Sequence, residues 1–135
     1  MSTSPRALVH ALLLRCEAAG QYANIALDTA LSRAGELSPA DRTLCTALFY
    51  SVIEHRITLD HIIDQYSSLS PSAIEKGVRV ALRMGIAQLL YFDRIPDHAA
   101  VAESVSLVSR RSKGFVNALL RSFCRSGARS RLPDS

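Results

Sequence analysis

The longest helical periodicity in the sequence lies between residues 74 and 89 and predicts a central helix. Small and apolar side chains recur there on one continuous helical face, namely Ile74, Val78, Ala81, Leu82, Gly85, Ile86 and Leu89. Because an apolar face of this length needs several packing partners, we expect the other helices to surround it. Ser70-Pro71 is its predicted start. Pro96 stops it, since the residue before a proline is disfavoured in the α conformation.

Helix start and stop signals divide the rest of the chain. The predicted starts are Ser4-Pro5, Asn24, Ser38-Pro39 and Thr58, and the predicted ends include Gly20 and Gly35. After a hinge at residues 93–96, a sixth helix is expected along Val101, Val105 and Val108. A turn at Gly114 precedes a seventh, lined by Phe115, Ala118, Leu119 and Phe123. No strand-like alternation occurs, so the sequence predicts an all-α bundle of about seven helices.

Length and composition are typical of one domain that folds without disulfide bonds or a structural metal ion. The chain has 135 residues, of which 48% are apolar, and it contains no Trp. Its cysteines, Cys16, Cys45 and Cys124, form no C-x-x-C motif, so we expect a reducing, cytoplasmic setting rather than a disulfide framework. No apolar run approaches the roughly 20 residues that a membrane span needs. We therefore expect no membrane association.

Residues for catalysis or metal binding are scarce. The four histidines have no metal-ligand spacing with one another or with a cysteine, so no metal site is expected. No Gly-rich loop follows a strand, which argues against a nucleotide site. Glu103 is the one acid amid Val101, Ala102 and Val105, and it could act as a general base. The favoured interpretation is a structural carboxylate bonded to an arginine or a helix N-terminus.

Positive charge is concentrated near the C-terminus. Residues 1–109 carry 9 basic and 11 acidic side chains, whereas residues 110–135 carry 7 basic and 1 acidic. A basic segment on a near-neutral body indicates an anionic partner, most often nucleic acid, although a solvated tail would have the same composition. We expect a folded domain over residues 1–125 and a basic tail or linker over residues 126–135.

Three groups of basic residues are candidates for RNA contact. The last helix and the turn before it carry Arg110, Arg111, Lys113, Arg121 and Arg125, the central helix carries Lys76, Arg79 and Arg83, and the first helix adds Arg6. Arginine forks suit phosphate oxygens. Few aromatic residues are available for base stacking, which favours recognition of phosphates and shape over sequence. For the group on the central helix, an ordinary solvated face remains an equal alternative.

Several longer motifs resemble the NusB-like domain that precedes the catalytic domain in bacterial 16S rRNA cytosine-C5 methyltransferases of the RsmB, Sun or Fmu type. The most specific motifs are Asp93-Arg94-Ile95-Pro96-Asp97-His98-Ala99-Ala100-Val101 and Lys113-Gly114-Phe115-Val116-Asn117-Ala118-Leu119-Leu120-Arg121. Shorter matches occur at residues 20–27, 37–42 and 82–85, so the resemblance covers nearly the whole chain to about residue 125. Ser51 departs from the pattern, because the family usually has glycine there, and the third helix is expected to pack differently.

The resemblance implies a NusB-like helical bundle that helps to place an RNA-modifying enzyme on 16S rRNA. It also implies that this chain is not an enzyme by itself, because the S-adenosylmethionine-binding domain and its Pro-Cys motif are missing. The chain would bind no cofactor, and its partners would be RNA and its own C-terminal methyltransferase domain, with a homodimer left open. Glu103, Asn117 and Pro96 are expected to be structural.

Three functions stay open at this point. The first is an RNA-binding targeting domain of an rRNA methyltransferase. The second is a free-standing NusB-like transcription antitermination factor that binds RNA and a ribosomal protein. The third is a helical domain that contacts only the enzyme that follows it and has no specific RNA affinity.

Overall fold

The structure is a computed structural model that describes residues 4–16 and 22–127. Its helices are Pro5–Cys16 (α1), Ala23–Ala34 (α2), Pro39–Glu54 (α3), Arg56–Tyr66 (α4), Lys76–Tyr91 (α5), Asp97–Val105 (α6) and Arg110–Ser126 (α7), with a short 3-10 helix at Pro71–Ala73. No strand occurs within the two described ranges. The predicted all-α fold with seven helices is confirmed.

Helix α5 is the centre of the bundle, as its periodicity predicts. It packs against α1, α3, α4, α6 and α7. Its burial is more complete than the sequence indicates, because every residue from Val80 to Leu89 is buried, including Arg83 and Gln88. The prediction of one apolar face was too narrow, since neighbours surround this part of the helix on all sides.

Gly85 allows the closest approach within the core. A Cβ atom at this position would lie 2.8 Å from the Leu120 side chain of α7 and 2.8 Å from the Ser104 hydroxyl of α6. Such distances are shorter than van der Waals contact, so a larger residue would have to displace these two side chains or the helices that carry them. The glycine thus sets how tightly α6 and α7 pack on α5.

Local signals place some helix ends correctly and others not. Ser38 caps α3, where its hydroxyl accepts a hydrogen bond from the Asp41 amide at 3.1 Å, and Gly35 ends α2 with a φ of 50°. The start predicted at Ser70-Pro71 is wrong, because that proline opens only the short 3-10 helix. Gly114 marks no turn and lies inside α7. The predicted end at Gly20 lies outside the described residues.

The predicted caps of α2 and α4 are close to the observed helix starts. Helices α2 and α4 begin at Ala23 and Arg56, one and two residues before the predicted caps Asn24 and Thr58. Ser51 lies within α3, which continues to Glu54, and its buried hydroxyl has no hydrogen-bond partner among the described residues.

In the part of the chain that the structure describes, no helix is long and apolar enough to cross a bilayer.

Candidate nucleic-acid interface

Helix α7 presents one apolar and one basic face. Its buried face consists of Val116, Leu119, Leu120 and Phe123, which pack against α4, α5 and α6. This face is rotated relative to the predicted one, since Phe115 is only half-buried and Ala118 is exposed. The correction matters for the site, because it places Ala118 among the solvent-facing arginines.

The solvent-facing side of α7 is an arginine face. We use this name for the exposed residues Arg110, Arg111, Gly114, Ala118, Arg121 and Arg125. Spacings of three, four and seven residues bring most of them onto one side of a helix. Arg110, Arg121 and Arg125 form no ion pair with any residue in ranges 4–16 and 22–127. Their guanidinium groups are therefore available to an external anion.

Two arginines of this helix contact neighbouring side chains. Arg121 donates from Nε to the Oδ1 atom of Asn117 at 3.0 Å, so Asn117 positions the arginine one turn further along. Arg111 pairs with Glu75 at 2.5 Å, and both side chains are well exposed, at 76% and 59%. A surface pair of this kind contributes at most about 1 kcal/mol, so a phosphate could replace the carboxylate.

Lys113 has a different role from the arginines around it. Its side chain is half-buried, and its Nζ atom donates to the backbone carbonyl of Val105 at 3.0 Å. That carbonyl belongs to the last turn of α6, where a cation is favoured by the helix dipole. Lys113 therefore joins α6 to α7, and the structure does not place it on the arginine face.

The basic group that the sequence places on the central helix does not form a common surface. Lys76 is exposed, but Arg83 is buried, with 5% of its surface accessible. Arg83 donates from Nε and Nη2 to the two carboxylate oxygens of Asp60, at 2.8 and 3.0 Å. Helix α4 covers this side of α5, which is why Arg83 faces a carboxylate rather than solvent.

Arg79 extends the same network. It donates to Asp60 at 3.2 Å, to Asp64 at 2.8 Å and to the backbone carbonyl of Pro71 at 3.1 Å. One guanidinium thus ties α4, α5 and the short 3-10 helix together. The sequence does contain a signal for this network, because the two aspartates and the two arginines are each spaced by four residues.

The network perturbs its titratable groups. Burial alone would raise the pKa of the Asp60 carboxyl, but the hydrogen bonds and charges of Arg83 and Arg79 outweigh burial and hold that pKa below its usual value. Burial likewise opposes the charged form of Arg79, but Asp64 and Asp60 overcome it and raise the arginine pKa. Both shifts indicate ion pairs that stabilise the fold.

Arg6, the candidate for RNA contact on the first helix, bonds to a residue inside the bundle. Arg6 is half-buried, and its Nε atom donates to Oε1 of Gln88 at 2.7 Å. Gln88 is fully buried and donates in turn to the Met84 carbonyl at 2.9 Å. The sequence pattern gives no indication of this contact, because the partner of Gln88 lies 82 residues earlier in the chain.

The residues expected to be structural occupy α6 and its neighbours. Pro96 precedes α6 in an extended conformation, and its carbonyl accepts from the Ala99 and Ala100 amides at 3.0 Å. Glu103 is half-buried on α6, and its backbone carbonyl accepts from the Ser106 hydroxyl at 2.6 Å. The predicted bond of its carboxylate to an arginine or a helix N-terminus is not found among the described residues. Among the described residues, no group of three His, Cys, Asp or Glu side chains could hold a metal ion.

A second surface, at the junction of α3 and α4, is apolar and was not anticipated from the sequence. It exposes Tyr50, Ile53 and Ile57, the last with 87% of its surface accessible. Tyr91, at the end of α5, is also exposed and stacks on His55 with ring centroids 4.1 Å apart. Apolar side chains of this kind suit protein contacts better than phosphate, so this surface is not part of the candidate nucleic-acid interface.

Comparison with known proteins is consistent with this fold. The chain is 33% identical over 132 residues to "Probable ribosomal RNA small subunit methyltransferase B" of Bacillus subtilis, a match that covers 95% of this chain and 29% of that protein. It is 34% identical to the protein of the same name from Synechocystis, over 90% of this chain and 28% of the relative. It is also 34% identical to "Transcription antitermination protein NusB" of Nocardioides, over 93% of this chain and 96% of that protein.

These matches differ in what they cover. The chain spans less than a third of the two methyltransferase relatives and nearly all of the antitermination protein. Residues 3–125 match the NusB family as a whole. The chain belongs to the NusB family.

Proposed function

We propose that this chain is an RNA-binding domain that helps to place a 16S rRNA cytosine-C5 methyltransferase on its substrate. The observation that carries the proposal is the arginine face of α7, where three exposed guanidinium groups have no acidic partner among the described residues. Arginine binds phosphate oxygens through a planar fork, and such contacts supply affinity without reading sequence. The methyltransferase relatives, which are matched over less than a third of their length, support the assignment to that enzyme class.

Under this proposal the domain contributes binding and no chemistry. Methyl transfer in the enzyme class that the sequence resembles uses S-adenosylmethionine held by an α/β domain, whereas the described residues form helices alone. They supply no strand-and-loop cradle for the cofactor, so the proposal assigns the cofactor and the catalytic cysteines to another part of the enzyme. The domain acts in the cytoplasm, where ribosomal RNA is its partner.

Two measurements test the two halves of the proposal. RNA affinity, measured by fluorescence anisotropy on a 16S rRNA fragment, is expected to fall steeply with salt and to drop in Arg121→Glu/Arg125→Glu. Unchanged binding in that variant refutes the site.

An antibody against this domain should detect a gene product in cell extract several times larger than the 14.7 kDa of this chain. A product of about that mass refutes the methyltransferase assignment.

The second candidate function is a free-standing NusB-like antitermination factor. It is favoured by the Nocardioides relative, which this chain covers almost completely. Such a factor needs a protein partner as well as RNA, and the apolar surface around Ile57 is suited to one. The gene-product mass separates this function from the first, because here it should equal the mass of this chain.

A further inference from the structure

We infer that the arginine face of α7 recognises the phosphate backbone of double-stranded RNA, with the helix lying flat against it. The inference rests on the proposed RNA-binding function and specifies the form of RNA that the same site takes. Three features of the described residues carry it: the spacing of the charges, the small residues between them, and the absence of an exposed aromatic ring on this face.

The charges form two groups along the helix axis. Arg110 and Arg111 lie in the first turn, and Arg121 and Arg125 lie in the last two turns. With a rise of about 1.5 Å per residue, the groups are about 15 Å apart at their nearest and about 22 Å at their outer ends. Two clusters separated in this way can contact phosphates at two separate positions along a nucleic acid.

The surface between the two groups is open. Gly114 and Ala118 are both exposed, and a Cβ atom at Gly114 would have no neighbour within 4 Å. Packing therefore does not require glycine at this position. The small residues leave the helix backbone accessible between the arginines, so that a rigid polyanion can contact both groups at once.

The arginine face lacks a surface on which bases could stack. Phe123 of α7 is buried, and Phe115 is half-buried in a cleft that is lined by Leu69, Ile74 and Val78 and bordered by the Arg111–Glu75 pair. Single-stranded RNA is usually bound by aromatic side chains that stack on unpaired bases. A duplex hides its bases and presents phosphates and ribose hydroxyls, which are the groups that arginines alone can recognise.

The arginine face is also held rigidly. Tyr66 of α4 donates from its hydroxyl to the Ser126 hydroxyl at 2.8 Å, and its ring packs edge-on against Phe123. At the other end, Lys113 bonds to the Val105 carbonyl. Fixed spacing between the helix positions that carry the charges favours a partner whose phosphates are also at fixed positions, because neither backbone loses much conformational entropy on binding.

A duplex carries more phosphate charge per unit length than a single strand and binds any basic surface more tightly. The decisive variant therefore keeps every arginine and changes only the residues between them. Gly114→Gln/Ala118→Gln inserts two longer neutral side chains between the arginine groups. Ala7→Gln/Ala47→Gln, at two exposed alanines of α1 and α3, is the matched control. Binding of the 135-residue chain is measured by anisotropy on a 20-base-pair RNA duplex and on an unstructured single strand of the same length, with unfolding followed in urea.

We expect the unmodified chain and the control to bind the duplex at least about tenfold more tightly than the single strand. Gly114→Gln/Ala118→Gln should lose duplex affinity several-fold, with single-strand affinity and stability retained. Equal affinity for both RNAs, or an unaffected duplex affinity in this variant, overturns the inference but leaves the proposed function intact. If the unmodified chain binds neither RNA even at low salt, the proposed function itself is refuted.

Discussion

Two arginine pairs with the same spacing have opposite surroundings in this molecule. Arg79 and Arg83 on α5, like Arg121 and Arg125 on α7, are four residues apart on one helix. The α5 pair meets the carboxylates of Asp60 and Asp64 on α4. The α7 pair faces solvent. The sequence presents both as basic stripes, and only the helix packed opposite decides which one is internal.

The comparison indicates how the same side chain serves stability in one place and binding in the other. A buried guanidinium must be paired, because an uncompensated charge in the interior destabilises the fold by several kcal/mol. An exposed guanidinium contributes little to stability and remains available to a ligand. We therefore expect substitutions in the α5 network to act on folding and substitutions on the arginine face to act on RNA.

The largest effect is expected for Asp60→Ala. This substitution leaves Arg83 buried without its bidentate carboxylate and should lower the free energy of unfolding by about 3 kcal/mol, measured by urea denaturation. Asp64→Ala is the matched control, because among the described residues Asp64 pairs only with Arg79 and it is more exposed than Asp60, so the substitution should cost about 1 kcal/mol or less. Similar losses in the two variants would contradict the assigned importance of the Arg83 pair.

Two glycines extend the comparison between α5 and α7. Gly85→Ala places a methyl group against Leu120 and Ser104 and should destabilise the fold by about 1–3 kcal/mol. Gly114→Ala meets no atom and should stabilise it by about 0.5–1 kcal/mol, since glycine is unfavourable inside a helix. Thermal and urea unfolding measure both. A stabilised Gly85→Ala protein would show that α6 and α7 do not approach α5 as closely as described.

A smaller effect is expected from pH. Because the pKa of Asp60 is lower in the folded protein than in the unfolded chain, its ion pairs stabilise the fold fully above the unfolded value of about 4. That stabilisation is lost as pH falls through the lower, folded-state value. Asp60→Asn should therefore be less stable at pH 7 and should show a shallower loss of stability below pH 4, measured by urea unfolding at each pH. An unchanged pH profile would mean that Asp60 is not in a charged network.

The parts of the fold that the sequence predicts are those that local physics decides. Ser38 caps its helix through the next turn of its own backbone, and Pro96 lies at the start of α6, where its carbonyl accepts from the next turn. Helix α5 already ends at Tyr91, so the prediction that Pro96 stops it was wrong. The parts that were mispredicted depend on distant partners. The four-residue spacing of Asp60 and Asp64 matches that of Arg79 and Arg83, but it does not show that α4 will cover Arg83. Nothing near Gln88 indicates that Arg6 will reach it.

The candidate site shows the same division. The concentration of charge in residues 110–125 is visible in the sequence, and the structure places four of its five cations on the exposed side of α7. The face of the helix is harder to predict, because Val116 and Leu120 compete with Phe115 and Ala118 for the buried positions. The contacts that α7 makes with α5 and α6 determine which of its faces is buried. Lys113 consequently turns toward the Val105 carbonyl, a contact that spacing alone does not reveal.

The most direct test of this account compares Arg79→Gln with Arg125→Gln, which remove the same charge from the two helices. For each variant, the free energy of unfolding is measured in urea, and the dependence of RNA affinity on salt is measured by anisotropy. Arg125→Gln should lower stability by less than about 1 kcal/mol and reduce the magnitude of the salt slope by about one. Arg79→Gln should lower stability and leave the slope unchanged. A reduced slope in Arg79→Gln with an unchanged slope in Arg125→Gln would contradict the division of labour between α5 and α7.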